Sequence, residues 1–118
     1  MNSLYLYFLL VLLAAINSTI GNLFLKKASA DLLNIQDFFT NKFLILGILF
    51  YAINVIFFVI ALKKIPVSIA YPVLSGTSFL LLILASVLYF QEDLNNLKIL
   101  GTILIFLGIL ILAYQADG

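Results

Sequence analysis

Uncharged polar residues stand at helical spacing inside three hydrophobic segments of the chain. Spacings of three or four residues place the members of each set on one face of a helix. The residues are Ser18 and Asn22 in the first segment, Tyr51 and Asn54 in the second, and Tyr71 and Ser75 in the third. Amide and hydroxyl groups donate and accept hydrogen bonds without carrying charge. The pattern therefore predicts a site for a ligand with many hydrogen-bonding groups and little charge.

The same pattern has a plainer interpretation. Small and polar residues also mark contacts between helices in lipid, because they allow close approach and form hydrogen bonds across the contact. For any single residue, that interpretation is as good as a ligand site. Contacts alone need only one or two such groups, whereas here three segments each carry a polar face. The set as a whole therefore favours a shared polar cavity.

The missing residue types narrow the chemistry further. The chain has no Cys and no His, and its acidic residues all lie outside the hydrophobic segments, at Asp31, Asp37, Glu92, Asp93 and Asp117. We therefore expect no nucleophile–base pair, no metal site, no cofactor and no enzymatic activity. The net charge of +1 provides no basic field, so nucleic acid is not an expected partner.

The elements that must position these residues are membrane-spanning helices. Of the 118 residues, 65% are hydrophobic and 9% are charged, against about 45–50% and about 25% in soluble domains. The apolar segments cover residues 4–25, 43–62, 67–90 and 99–114. A spanning helix needs about 20 apolar residues, and the last segment reaches this length only if Lys98 and Tyr114 extend it to the interface. We expect an all-α integral membrane protein, with four transmembrane helices in an antiparallel bundle and a single domain over residues 1–118.

The connections and their lysines bear on orientation. Residues 26–42 form the one long predicted loop, while residues 63–66 and 91–98 form short turns. Four lysines lie on the side of the long loop and two on the side of the termini, with no Arg in the chain. The positive-inside rule thus favours a cytoplasmic long loop. A difference of two charges leaves open insertion in both orientations, or pairing with an oppositely oriented relative.

The third segment contains a predicted bend. Pro66 suits the first turn of a helix, whereas Pro72 falls inside the helix, removes a backbone donor and should kink it. Ser75 and Gly76 follow directly and add a second flexible point. Bent helices line the cavities of many transporters, although a static kink for packing is the simpler alternative.

Two strings resemble the small multidrug resistance transporters of the drug/metabolite transporter superfamily. They are IPVSIAYPVLSG at residues 65–76 and GTILIFLGILIL at residues 101–112. The resemblance covers nearly the whole chain and implies a transporter that works as a dimer. It assigns Tyr51 and Tyr71 to the site, Ser75–Gly76 to a hinge in the third helix, and Gly101 and Gly108 to dimer packing. Two glycines seven residues apart share one helix face and allow close association in lipid.

The chain also departs from the drug exporters of that family. Ser18 stands where those exporters carry a glutamate that binds proton and cation in turn, and Leu74 stands where they carry a tryptophan. A desolvated carboxylate is what lets a proton and a cation compete for one site at neutral pH. Without it, this chain has no group to carry cation/proton antiport by itself.

A second branch of the superfamily, the aminoarabinose-phosphoundecaprenol flippase subunits, is similar in GNLFLKK at residues 21–27 and in Ala70–Tyr71–Pro72. Those subunits also lack the membrane glutamate. This resemblance implies a polyprenyl-phosphate-linked sugar as substrate, with Lys26, Lys63 or Lys64 available to the lipid phosphate. Anchoring at the membrane surface is the commoner role of such lysines.

We therefore expect uncoupled flipping of a lipid-linked sugar, or of a similar anionic lipid, in the cytoplasmic membrane of a prokaryote. The partners would be membrane lipid and a second four-helix subunit, identical or related. One alternative is export of small amphipathic or cationic compounds as one half of a heterodimer. The other is a membrane subunit that transports nothing. The substrate itself is not identified by the sequence.

Overall fold

The computed structural model describes residues 2–115, and all regular structure among them is helical. The helices are α1 (Asn2–Ser29), α2 (Asp37–Thr40), α3 (Lys42–Ala61), α4 (Val67–Tyr89) and α5 (Asn96–Gln115). The four long helices correspond in order to the four predicted segments. The short α2 lies within residues 26–42, which the sequence pattern assigned to a loop.

Local hydrogen bonds explain where the observed helix ends differ from the predicted ones. Helix α1 continues to Ser29 instead of ending near Leu25, and the Ser29 hydroxyl donates to the carbonyl of Lys26. Helix α5 begins at Asn96, inside the turn predicted for residues 91–98. The Asn95 side chain accepts the N–H of Lys98 at 2.9 Å, as expected of a residue that precedes a helix. The first turn of α5 is polar, so the hydrophobic pattern that predicted the helix begins later than the helix itself.

Three helices are long and apolar enough to cross a membrane. Their spans are Leu4–Ser29, Lys42–Ala61 and Val67–Tyr89. The apolar part of α5, Asn96–Leu112, is shorter. The prediction of an all-α integral membrane protein is therefore confirmed in its coarse form, with a shorter fourth helix. That α5 also crosses the membrane stays a prediction.

Helix α1 packs against α3 and α4, and α4 also packs against α5. The α1–α3 contact is close because two glycines face each other. A Cβ atom added to Gly47 would lie 3.0 Å from the backbone oxygen of Gly21 and 2.9 Å from Leu25 Cδ2. Small residues at helix contacts allow backbones in lipid to approach to this distance. Gly47, Asn54 and Ala61 of α3, spaced by seven residues and hence on one face, are all buried.

A third glycine serves the contact between α4 and α5. A Cβ atom on Gly76 would collide with the side chain of Ile109. Helix α4 is α-helical on both sides of Pro72, which lies inside it, and Pro66 stands directly before its first residue. The predicted kink and hinge at Pro72 and Gly76 stay predictions. What the structure adds is a packing role for Gly76.

The molecule is flat, with principal extents of 49 × 35 × 19 Å. Since a helix with its side chains is about 10–12 Å across, the thin dimension holds about two helices. Large apolar side chains such as Leu84, Leu107 and Ile111 are exposed on the outside. Such extensive apolar exposure fits a surrounding of lipid or of a partner subunit.

Candidate functional site

The predicted polar faces meet in one cavity, which we call the central cavity. Its volume is about 310 Å³, and α1, α3 and α4 all contribute to its wall. All six residues predicted to bind substrate line it, together with Ser78 and three apolar side chains: Ser18, Asn22, Tyr51, Asn54, Tyr71, Ser75, Ser78, Leu74, Phe79 and Leu82. The structure thus brings these residues together, and their part in binding stays a prediction.

Three hydroxyl groups at one edge of this cavity join α1 to α4. Ser78 Oγ donates to Ser18 Oγ at 3.3 Å and lies 3.2 Å from Thr19 Oγ1. The Thr19 hydroxyl also donates to the carbonyl of Ala15 at 2.8 Å. Ser18, Thr19 and Ser78 are all buried. For these residues the helix-contact interpretation holds. The spacing of Ser75 and Ser78 already placed Ser78 on the polar face, although the sequence analysis did not include it in the site.

The two asparagines of the cavity differ in how their amides are satisfied. Asn22 Nδ2 donates to the carbonyl of Ser18 at 3.0 Å, one turn back in α1. Asn54 is only 8% exposed, and its Oδ1 has no hydrogen-bond partner among the described residues. Buried polar atoms in proteins are nearly always paired with protein groups or water. Asn54 Oδ1 is therefore a buried acceptor, on a residue that lines the cavity, which no described residue satisfies.

The two tyrosines of the cavity wall come from two different helices, Tyr51 from α3 and Tyr71 from α4. Tyr71 on α4 is 58% exposed, and its ring packs edge-on against Phe58 of α3, with centroids 6.2 Å apart. Tyr51 on α3 is half-buried, and its ring lies against Gly21 of α1. Each ring is fixed by a packing contact while its hydroxyl can donate or accept.

A second cavity of about 440 Å³, the surface cavity, lies between α1, α4 and α5 at the end of α1 that carries Lys26. It shares Asn22, Phe79 and Leu82 with the central cavity, so the two adjoin. Four of its residues are charged: Lys26, Lys98, Glu92 and Asp93. Lys98 Nζ donates to the backbone oxygen of Asp93 at 2.7 Å. The sequence pattern predicts a turn for both acids and carries no signal that they line a cavity.

The other predicted anchoring lysines are placed differently. Lys63 and Lys64 are exposed in the turn between α3 and α4, at the opposite end of the helices from Lys26. Neither lines the central or the surface cavity. Of the three lysines proposed for a lipid phosphate, only Lys26 therefore adjoins the predicted site.

The third cavity, the lateral groove, lies along the contact of α4 and α5 and measures about 440 Å³. Gly108 lines this groove and Gly101 lines the surface cavity, and a Cβ atom on either would meet nothing within 4 Å. That space is compatible with close approach of a second helix, so dimer packing there stays a prediction. Phe79 lines all three cavities. Sequence reasoning gave it no role, because an apolar residue in an apolar helix carries no local signal.

Helix lengths, exposed apolar surface and a partly open cavity with an uncharged lining define a small α-helical integral membrane protein. The family model described as Small Multidrug Resistance protein matches residues 6–105, and the chain belongs to this family. It is accordingly a small membrane transporter of a family whose members are transporters rather than enzymes, and act as homo- or heterodimers. The chain is also 41% identical over 108 residues to a protein of Sinorhizobium fredii (strain NBRC 101917 / NGR234) described as uncharacterized protein y4nH, covering 89% of this chain and 92% of that one.

Proposed function

We propose that the protein flips a polyprenyl-phosphate-linked sugar, or a similar anionic lipid, across the membrane without proton coupling. The observation that carries this proposal is the central cavity, whose polar lining comes from three helices and contains no charged residue. Sugar hydroxyls require many donors and acceptors and no counter-charge. The neutral amides and hydroxyls of the cavity wall supply such donors and acceptors without charge.

The charges around the cavity support the anionic part of the proposal. Asp31, Asp37, Glu92 and Asp93, the acids of the described part, lie outside the three spans. A bare cation inside the central cavity would lack a counter-charge, which is costly in lipid. Lys26 lines the adjoining surface cavity, where its ammonium can attract a lipid phosphate as a point charge. Lys98 lines the same cavity, and Glu92 and Asp93 balance the two lysines, so the attraction we propose is local to Lys26.

The arrangement also suits a molecule with a polar head and an apolar chain. The lateral groove shares Ser75 and Phe79 with the central cavity, and most of its lining is apolar. A head in the central cavity could thus keep its chain on the lipid side of the protein. A single flat chain encloses little space, so we propose that two copies, or one copy and a related four-helix subunit, form the complete path.

The cytoplasmic membrane of a prokaryote is the proposed location. The similarity to a protein of Sinorhizobium fredii supports a bacterial source for such a chain.

The test is a flipping assay in proteoliposomes. A short polyprenyl-phosphate-linked hexose is added to both leaflets, and impermeant periodate then oxidises only the outer population. With functional protein the inner population should also become oxidised over time, because flipping exposes it. Lys26→Gln should slow this exchange. The matched control is Lys27→Gln, because the Lys27 ammonium packs over the Phe43 ring at 4.6 Å and lines none of the cavities. An inner population that stays protected with the unsubstituted protein would refute the proposal.

The second candidate is a small multidrug resistance-type exporter of amphipathic or cationic compounds, working as half of a heterodimer. The family match favours it, and Glu92 and Asp93 give the surface cavity two groups that attract cations. On this proposal, a related subunit supplies the missing carboxylate within the membrane. Proteoliposomes with an imposed pH gradient should then accumulate tetraphenylphosphonium only when both subunits are present.

A further inference from the structure

We infer that the central cavity holds its ligand through a hydrogen bond from an uncharged donor of the ligand, a hydroxyl or an amide N–H, to Oδ1 of Asn54. The inference deepens the proposed function and rests on it, since it names the kind of group that the cavity recognises in the transported head. It goes beyond the sequence pattern, which placed Asn54 on a polar face without saying what its amide does.

The burial of Asn54 is the first step. The side chain is 8% exposed, lines the central cavity, and its Oδ1 has no partner within residues 2–115. Leaving an acceptor buried without a donor costs about 1–3 kcal/mol. A ligand that donates to this atom removes that cost, so binding is favoured by the state of the empty protein.

The second step is that several donors at or near the cavity bond to other groups of the protein and not to Asn54. Asn22 Nδ2 donates to the carbonyl of Ser18, and Ser78 Oγ donates to Ser18 Oγ. The Thr19 hydroxyl donates to the carbonyl of Ala15. None of these donors is directed at Asn54 Oδ1, which has no hydrogen-bond partner among the described residues. The hydroxyls of Tyr51, Tyr71 and Ser75 can adapt in either direction.

The third step concerns charge. No residue that lines the central cavity is acidic. An ammonium group bound there would exchange water for neutral acceptors alone, at a large desolvation cost. A hydroxyl or an amide N–H has a much smaller desolvation cost and satisfies the same acceptor. The cavity therefore selects uncharged donors.

The experiment first compares the stability of two variants in phosphatidylcholine nanodiscs without ligand. Asn54→Leu replaces an unpaired acceptor with an apolar side chain of similar size, so its melting temperature should equal or exceed that of the unsubstituted protein. Ser78→Ala removes a hydroxyl that is bonded across the α1–α4 contact, so its melting temperature should fall. A melting temperature that falls in Ser78→Ala but not in Asn54→Leu would show that the Ser78 hydroxyl stabilises the fold and that the Asn54 acceptor does not.

Binding is then measured with two probes that differ only in donors. n-Octyl β-glucoside carries four hydroxyls, and its tetra-O-methyl derivative keeps the oxygens but has no donor. The chain has six Tyr and no Trp, and Tyr51 and Tyr71 line the cavity wall, so a bound probe should change the part of the tyrosine fluorescence that comes from these two rings. We expect the hydroxylated probe to bind more tightly. Asn54→Leu should weaken it about tenfold, the effect of one lost neutral hydrogen bond, and leave the methylated probe unaffected. Asn54→Ala should do the same, which covers the case in which leucine does not fit.

Two outcomes would overturn the inference. One is equal binding of both probes, or of neither, by the unsubstituted protein. The other is a loss of stability in Asn54→Leu and Asn54→Ala with the preference between probes retained. Flipping is measured separately, by oxidation of the lipid-linked hexose. Selective binding of the hydroxylated probe without flipping would support the inference and refute the proposed function. Flipping without selective binding would support the proposed function and refute the inference.

Discussion

Ser78 of α4 donates a hydrogen bond to Ser18 of α1 at 3.3 Å, joining residues 60 positions apart at the edge of the central cavity. The bond ties the helix that carries Tyr71 and Ser75 to the helix that carries Asn22. One wall of the cavity thus depends on a contact between two hydroxyls that both lie in the membrane-spanning region.

Removing that contact should weaken the fold. We expect Ser78→Ala to lower the free energy of unfolding by about 0.6 kcal/mol, the average for an interhelical hydrogen bond in lipid. Unfolding in bicelles titrated with sodium dodecyl sulfate measures this. The matched control is Ser86→Ala, because Ser86 Oγ bonds only to the carbonyl of Ile83 in its own helix. An equal loss in both variants would show that the α1–α4 bond adds nothing.

The glycines of α3 and α5 should respond to alanine with opposite signs. Gly47→Ala places a Cβ 3.0 Å from the Gly21 oxygen, so overpacking should cost about 1–3 kcal/mol of unfolding free energy. Gly101→Ala meets nothing within 4 Å and should gain up to about 1 kcal/mol from its greater helix propensity. The same unfolding titration measures both. Stabilisation by Gly47→Ala would contradict the close contact of α1 and α3.

Larger substitutions at the glycines of α5 test the dimer. Gly101→Leu and Gly108→Leu fill space that is open in the single chain, so each should reduce dimer formation while the monomer still inserts. Chemical crosslinking in membranes measures the dimer yield. Leu107→Phe adds bulk at an exposed neighbouring position and serves as the control. An unchanged yield in both glycine variants would place the interface elsewhere.

Tyr71→Phe separates ligand contact from packing. The substitution deletes one hydroxyl and keeps the ring that packs against Phe58. We expect slower transport with little change in melting temperature, because the packing contact survives. Flipping of the lipid-linked hexose at equal protein level measures the effect. Tyr89→Phe is the control, since Tyr89 is exposed at the end of the same helix and lines none of the three cavities. Normal transport by Tyr71→Phe would show that the Tyr71 hydroxyl does not contact the transported molecule and that the ring serves only packing.

Transport by this chain alone should not move protons. No acidic residue of the described part lies within the three spans, and the chain has no His. We expect no substrate-driven proton flux in liposomes between about pH 6 and 8, since no desolvated carboxylate is present to exchange a proton for substrate. A pH-sensitive dye inside the liposomes measures this flux. A proton current abolished by replacing a buried residue of this chain would contradict the uncoupled mechanism.

The sequence alone predicted the four long helices and six of the residues that line the central cavity. The lengths of the hydrophobic segments predict where the helices lie in the sequence. The spacing of polar residues predicts that Asn22, Asn54 and Tyr71 lie on the polar faces of their helices. Because polar groups are costly at the lipid surface, three such faces must meet inside the molecule. That physical constraint is local in sequence and could be evaluated without knowing the packing.

The tertiary structure decided which of these groups bond to one another and which have no partner among the described residues. Ser18 and Ser78 bond to each other and Asn54 Oδ1 has no partner, although all three look alike as polar residues in apolar helices. Likewise, Gly47 faces a backbone while Gly101 faces open space. Such differences depend on the relative rotation and distance of whole helices. Many side-chain contacts set these together, and no short stretch of sequence encodes them.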